Sequence, residues 1–189
     1  MIFKVKMKIN SRNHYTFTAT KLPPQRVDNI LLRGSSITNP LSMYRLKKIG
    51  VKQVIDLRTH LISRIPEILM CKIFGIKYNN FEYSHKKAIF PNSDFFQKIN
   101  DTILQNQGKT YIHCRHGKRR TGVCVAVYEK FHTNKTPQDI IKELYDTGFN
   151  EICKNYDKIP REKYNKFIKI YNSFIEKFYP QEEKLRYKK

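Results

Sequence analysis

The residues able to do chemistry in this chain gather in one short segment, Tyr111-Ile112-His113-Cys114-Arg115-His116-Gly117-Lys118-Arg119-Arg120-Thr121-Gly122. It joins a predicted strand to a predicted helix. Backbone N–H groups in such a turn point inward and form an anion nest, and the helix start adds its positive end. A cysteine at the mouth of this nest has a depressed pKa, because its thiolate is the anion that the nest favours. Cys114 holds that place. Arg120 returns to the same point six residues later, where its planar fork can grip two oxygens of a phosphate. Gly117 permits a tight backbone, Thr121 can hydrogen-bond the thiolate as it leaves, and His113 braces the loop from the strand side. Cys114 therefore reads as a nucleophile rather than as the buried end of a strand.

The other cysteines, Cys71, Cys124 and Cys153, sit among apolar neighbours and read as small core residues. There is no C-x-x-C spacing and no metal-ligand pattern between the cysteines and the six histidines. A chain of 189 residues can bury a core without a disulfide framework, so free thiols and a reducing, cytoplasmic compartment are expected. Residues 1–9 alternate apolar side chains with Lys4, Lys6 and Lys8. A secretory signal would keep its charges ahead of an unbroken apolar stretch. No apolar run reaches the roughly 20 residues needed to cross a bilayer.

The elements that must position the loop follow from periodicity and punctuation. Residues 1–22 are expected to form a hairpin extension, closed by Pro23-Pro24. A strand over 30–33 ends at Gly34, and a helix over 41–49 stops at Gly50. A buried strand over 51–57 leads to a helix over 63–74, stopped by Gly75, and a strand over 76–81. A helix over 94–105, capped by Asn92 or Ser93, precedes the strand 109–113 and the helix 120–132. Strands separated by helices of about ten residues predict an α/β fold, a mostly parallel central sheet flanked by helices. Thr136-Pro137 starts another helix, running to Asp146. Pro160 opens a longer one, whose stripe of Tyr164, Phe167, Ile168, Tyr171, Phe174, Ile175 and Phe178 reads as core packing. One domain over 23–180 and a charged tail over 181–189 complete the expected organisation.

The net charge of +21 is unusual. It favours anionic partners, whether a polyphosphorylated small molecule, nucleic acid or an anionic membrane surface, without choosing among them. Part of it reflects a general enrichment in Lys, Asn and Ile.

HCRHGKRRTG resembles the signature of the protein tyrosine and dual-specificity phosphatases. It is most similar to the atypical dual-specificity phosphatases of plants and fungi and their bacterial relatives. Upstream, ILLRGSSITNPLSMYRLKKIGVKQVIDLR is similar to that group's strand, Arg-Ser/Gly turn, helix and IKTVINLR strand, so the resemblance runs from about Val27 to Phe149. It implies a dual-specificity phosphatase-like fold and a two-step reaction. Cys114 would attack phosphorus to form a phosphocysteine, and water would hydrolyse it, with no metal or cofactor.

Two departures from the pattern matter. The family protonates the leaving oxygen with an aspartic acid on a preceding loop, and here that slot, after Pro91, holds Asn92. Asp94 and Glu82 are the candidate acids, and the absence of any side-chain acid is the third reading. Asp94 could equally be ordinary dipole compensation in the first turn of a helix. The loop is also more basic than most of the family, with Arg115, His116, Lys118, Arg119 and Arg120 in a row. The similar arrangement in the plant and fungal group goes with inositol polyphosphate and pyrophosphate hydrolysis, and a lysine at this place occurs in phosphoinositide phosphatases. His85, Lys86 and Lys87 read as an exposed charge run or a second basic rim. Arg58 is expected to face the site, since ligands of parallel sheets gather at strand C-termini.

The expected function is thus a cysteine-dependent phosphatase acting on a phosphorylated small molecule or a phosphoprotein. An RNA 5′-phosphatase would use the same chemistry, but basic–aromatic interleaving outside the loop is lacking. A pseudophosphatase that binds phosphate without turnover is motivated by Asn92 and opposed by an intact Cys114 and Arg120.

Overall fold

A computed structural model describes residues 23–83 and 93–149 of the chain. The expected hairpin over 1–22, the segment with His85, Lys86, Lys87 and Asn92, and the helix after Pro160 lie outside the described residues.

The described chain runs β1 (Gln25–Arg26), β2 (Leu31–Ser35), α1 (Pro40–Lys48), β3 (Val51–Asp56), α2 (Ile65–Phe74), β4 (Lys77–Asn80), α3 (Ser93–Leu104), β5 (Lys109–Cys114), α4 (Arg119–His132) and α5 (Pro137–Asp146). The strands form one sheet in the order β1-β2-β5-β3-β4, parallel except for the two-residue β1, which pairs antiparallel with β2. The mostly parallel α/β architecture is therefore as the alternation of strands and helices predicts. The edge strand β1 was not anticipated, because two residues carry no periodicity.

Local chemistry sets the boundaries. Asn39 caps α1 by accepting from the Ser42 N–H at 2.8 Å, and Pro40 supplies the pre-set first turn. Thr136 caps α5, accepting from the Asp139 N–H at 3.2 Å, again with proline following. Gly75 ends α2 in the left-handed region at φ 64°. Ser93, considered as a cap for α3, is instead its first helical residue.

Two apolar layers sandwich the sheet. On one face Leu32, Val51, Val54 and Tyr111 pack against Met43 and Leu46 of α1 and Met70 and Cys71 of α2. On the other, Leu31, Ile55, Ile112 and Cys114 pack against α3, α4 and Leu144 of α5. Val51 and Val54 share a face despite being three apart, because a register shift between Val51 and Gln53 breaks the alternation. The alternation holds at the end of β5, where it decides the chemistry. His113 and Cys114 are neighbours in sequence, yet His113 turns toward α2 and Cys114 toward α4.

Candidate active site

The C-terminal end of β5 runs into the start of α4 through residues 115–118, the place where parallel sheets collect ligands. Gly117 has φ 78°, and a Cβ there would stand 2.4 Å from the carbonyl carbon and oxygen of Gly34. The loop thus lies directly on the backbone of β2, a packing that only glycine allows. Gly34 in turn leaves room for the Tyr111 hydroxyl, which donates to Ser35 O at 2.7 Å. Ser36 completes this flank by donating its N–H and hydroxyl to Arg115 O.

Beneath the loop sits Arg33, 2% exposed, donating to the Gly117 carbonyl at 3.1 Å and reaching that of Lys118 at 3.5 Å. Burial pulls the Arg33 pKa below its ordinary value against the raising influence of Glu129 and Glu143. Sequence reasoning missed this residue as functional. The signal was an arginine in an otherwise buried strand, Leu31–Ser35, where a charge has no reason to be without a partner.

Within the cradle, Cys114 is 4% exposed. Burial is the largest influence on its thiol and pushes the pKa up. The Arg120 charge, the Thr121 hydroxyl, the Thr121 N–H and the His116 N–H together outweigh it, so the pKa falls below that of an ordinary cysteine. The other described cysteines behave oppositely: burial takes Cys71 up to about 12 and Cys124 higher. Thr121 is fully buried and its hydroxyl has no conventional partner, which leaves it for the Cys114 sulfur. Arg120 is aimed by two carbonyls, Leu57 O at 2.9 Å and Tyr83 O at 3.4 Å, both held by one nitrogen of its fork. His116 is held below its ordinary pKa by burial and then by Arg115, Arg119, Arg120 and Lys118. A histidine that resists protonation is the local measure of how positive this loop is.

On the opposite face, His113 is wholly buried. Its Nδ1 stands 3.1 Å from Cys114 O, and its Nε2 stands 2.9 Å from Glu67 Oε1, an ion-pair contact set off the line of a hydrogen bond. Both ring nitrogens face oxygen. Burial opposes a charge on this ring, but Glu67 and then Asp56 outweigh it and raise its pKa. Asp56, Glu67 and His113 could each offer a ligand atom to a metal, within 4.8 Å of one another. Arg58 already supplies the cation. Its guanidinium pairs with Asp56 at 2.7 Å, with Glu67, and with Ser63 O at 2.9 Å. Two buried carboxylates thus share a guanidinium and an imidazole ring whose protonated form they favour.

Arg58 was expected to face the site. It lies at the end of β3 as expected, but its charge is committed to Asp56 and Glu67 and not to the cradle. Lys118 differs as well: it is 5% exposed, and its side chain lies over Gly148, which has no Cβ to displace it. Arg115 is exposed, while Arg119 and Arg120 are half-buried. Asp94 is exposed in the first turn of α3, next to Phe95, which packs on Tyr83. That places it on the same edge of the sheet as Cys114, with Ser93 as its recorded contact. Glu82 precedes Tyr83 and turns its carboxylate to Arg64 at 3.3 Å.

The model of the tyrosine phosphatase family matches residues 25–181. No curated protein sequence matches the chain significantly. Among solved structures, the core catalytic domain of the PP-IP phosphatase SIW14 from S. cerevisiae aligns with TM-score 0.57 at 19% identity, covering 83% of this chain and 85% of that one. TpbA from P. aeruginosa aligns with TM-score 0.56 at 19% identity over 68% of this chain and 75% of its own. PTPMT1 gives 0.55 at 21% identity, over 65% and 81%. At these identities the likeness is one of fold.

The geometry makes a titration prediction. Alkylation of Cys114 by iodoacetamide, followed against pH, should reach half its plateau below the ~8.5 of a free thiol. Thr121→Val removes a donor to the thiolate, so its midpoint should move to higher pH; an unchanged midpoint would remove Thr121 from the role assigned to it.

Proposed function

The chain belongs to the tyrosine phosphatase family, and from that premise we propose that it is a metal-independent phosphatase whose nucleophile is Cys114 and whose phosphate clamp is Arg120. The observation that carries the proposal is the contrast among the described cysteines. Only Cys114 has its thiol lowered, and it is lowered by the groups that would also hold a phosphate. In the first step the thiolate attacks phosphorus, the phosphorus–oxygen bond to the leaving group breaks, and that oxygen takes a proton. In the second, water attacks the phosphocysteine and gives a proton back to the acid that protonated the leaving oxygen, while the sulfur leaves as a thiolate that accepts a hydrogen bond from the Thr121 hydroxyl. Electrostatic stabilisation by Arg120 and the loop N–H groups serves both steps.

For the leaving-group proton we propose Asp94. It shares the edge of the sheet with Cys114 and is exposed in the first turn of α3. Glu82 is the weaker candidate because Arg64 holds its carboxylate aside.

We further propose a substrate carrying several phosphates, an inositol polyphosphate or pyrophosphate or a phosphoinositide headgroup. Support comes from the cluster of Arg115, Arg119, Arg120 and Lys118 around His116, whose pKa is lowered first by burial and then by these four charges. A single phosphate of about two charges does not require so many cations. Among the structural neighbours, SIW14 is described as a PP-IP phosphatase, and PTPMT1 has been seen with PI(5)P. TpbA has been seen with phosphotyrosine, which supports a phosphoprotein substrate as the second reading.

The proposal predicts Cys114-dependent phosphate release. On a panel of inositol polyphosphates, phosphoinositides, phosphotyrosine peptides and 5′-triphosphate RNA, release should concentrate on the inositol compounds and vanish in Cys114→Ser. Release from peptides alone would transfer the function to the second reading, and turnover by Cys114→Ser would reject the mechanism. Asp94→Asn should slow alkyl phosphates by about 10²-fold or more and aryl phosphates, whose leaving groups need no proton, far less. Equal slowing of both would take the acid role from Asp94.

A further inference from the structure

Helix α2 is apolar on both sides. Met70 and Cys71 face the core, while Ile65, Leu69 and Ile73 recur at intervals of four residues on the outside, and Ile73 is 78% exposed. A helix that is hydrophobic all round belongs in a protein interior or against lipid, and this one lies at the surface. Its outer stripe continues in two directions. Leu41 and Tyr44 of the neighbouring α1 are exposed beside it. The connection from β3 to α2 adds Leu61 and Ile62, the latter 85% exposed. That connection leaves the C-terminal end of β3, the same edge of the sheet from which Cys114 enters the catalytic loop.

The charges around the stripe are predominantly basic. Between Asn29 and Phe81 the only acids are Asp56 and Glu67, and both are buried in the network with Arg58 and His113. The exposed ions of α1, α2 and the starts of β3 and β4 are Arg45, Lys47, Lys48, Lys52, Lys72 and Lys77. An exposed apolar stripe set in a predominantly basic surface, whose exposed acid Glu82 is paired with Arg64, has the chemistry of an interfacial segment. The apolar side chains enter the acyl boundary and the cations remain among anionic headgroups.

We infer that the α1–α2 face docks on an anionic lipid bilayer. Nucleic acid fits the charges but offers nothing to the isoleucines. A second copy of the chain fits the isoleucines but brings another +21 of like charge. Lipid satisfies both. The inference is independent of the substrate of the cradle.

A chain of this charge adheres to any anionic vesicle, so the deciding variant must leave the charge alone. The triple substitution Ile62→Ser, Ile65→Ser, Ile73→Ser does so at exposed positions. Co-sedimentation of the full chain with phosphatidylcholine vesicles containing phosphatidylserine, at physiological ionic strength, is the measurement. The wild type should bind, and bind pure phosphatidylcholine more weakly. The triple variant should partition about tenfold less or weaker still, with hydrolysis of a soluble aryl phosphate unchanged. Equal partition of variant and wild type would overturn the inference, as would absence of wild-type binding. So would a wild-type dimer in solution that the three substitutions break, since a second copy would then own the face.

Discussion

Everything in this fold answers to one demand: an anion must be held where water cannot reach it. Burial alone would neutralise a thiol at the end of a central strand, as it does Cys71 and Cys124. Cys114 escapes because the Arg120 charge and the Thr121 hydroxyl, joined by the Thr121 and His116 N–H groups that the turn directs inward, outweigh that burial and are already in place when charge appears. Such a turn is unstable on its own, since its carbonyls must then face outward into the protein. Arg33 receives them on one side, Ser36 on another, and the missing Cβ of Gly117 lets the loop settle against β2. The parallel sheet supplies the rest by bringing β2, β3 and β5 to a common edge.

The side of β5 away from the thiolate is as heavily charged as the cradle. His113 is forced toward α2 by strand alternation, and there it meets Glu67, with Asp56 and Arg58 close by. This network joins the ends of β3 and β5 to the second turn-start of the molecule, α2, and Arg120 spans the gap on the catalytic side by holding Leu57 O and Tyr83 O. Removing one member would leave a buried charge without its partner, a change that typically costs about 3–5 kcal/mol. The loop is therefore clamped from both faces of the sheet by ions, not only by packing.

Much of this was legible in the sequence, and the boundary of legibility is physical. Gly50, Gly75, Thr136-Pro137 and the strand–helix alternation report local conformational preferences, so the element order and the position of the loop could be read directly. The meeting of Cys114, Arg120 and Thr121 at one loop follows from their spacing, which is local. Arg33, Asp56 and Glu67 could not be read, because their contacts depend on pairing across 84, 57 and 46 residues of chain (33 to 117, 56 to 113, 67 to 113). The acid partners of Arg58 were invisible for the same reason, although its place at a strand end was not. The exposed stripe of α2 was hidden too, since its inner and outer apolar residues merge into one hydrophobic run.

The central claim is that phosphate passes through the sulfur of Cys114. Rapid quenching during turnover of an aryl phosphate, followed by mass spectrometry of the peptides under conditions that preserve phosphothioesters, tests it directly. The account predicts one added phosphoryl group, on the peptide containing Cys114 and absent from its serine variant. Turnover with no phosphoryl adduct at Cys114, or with the adduct on another residue, would contradict it.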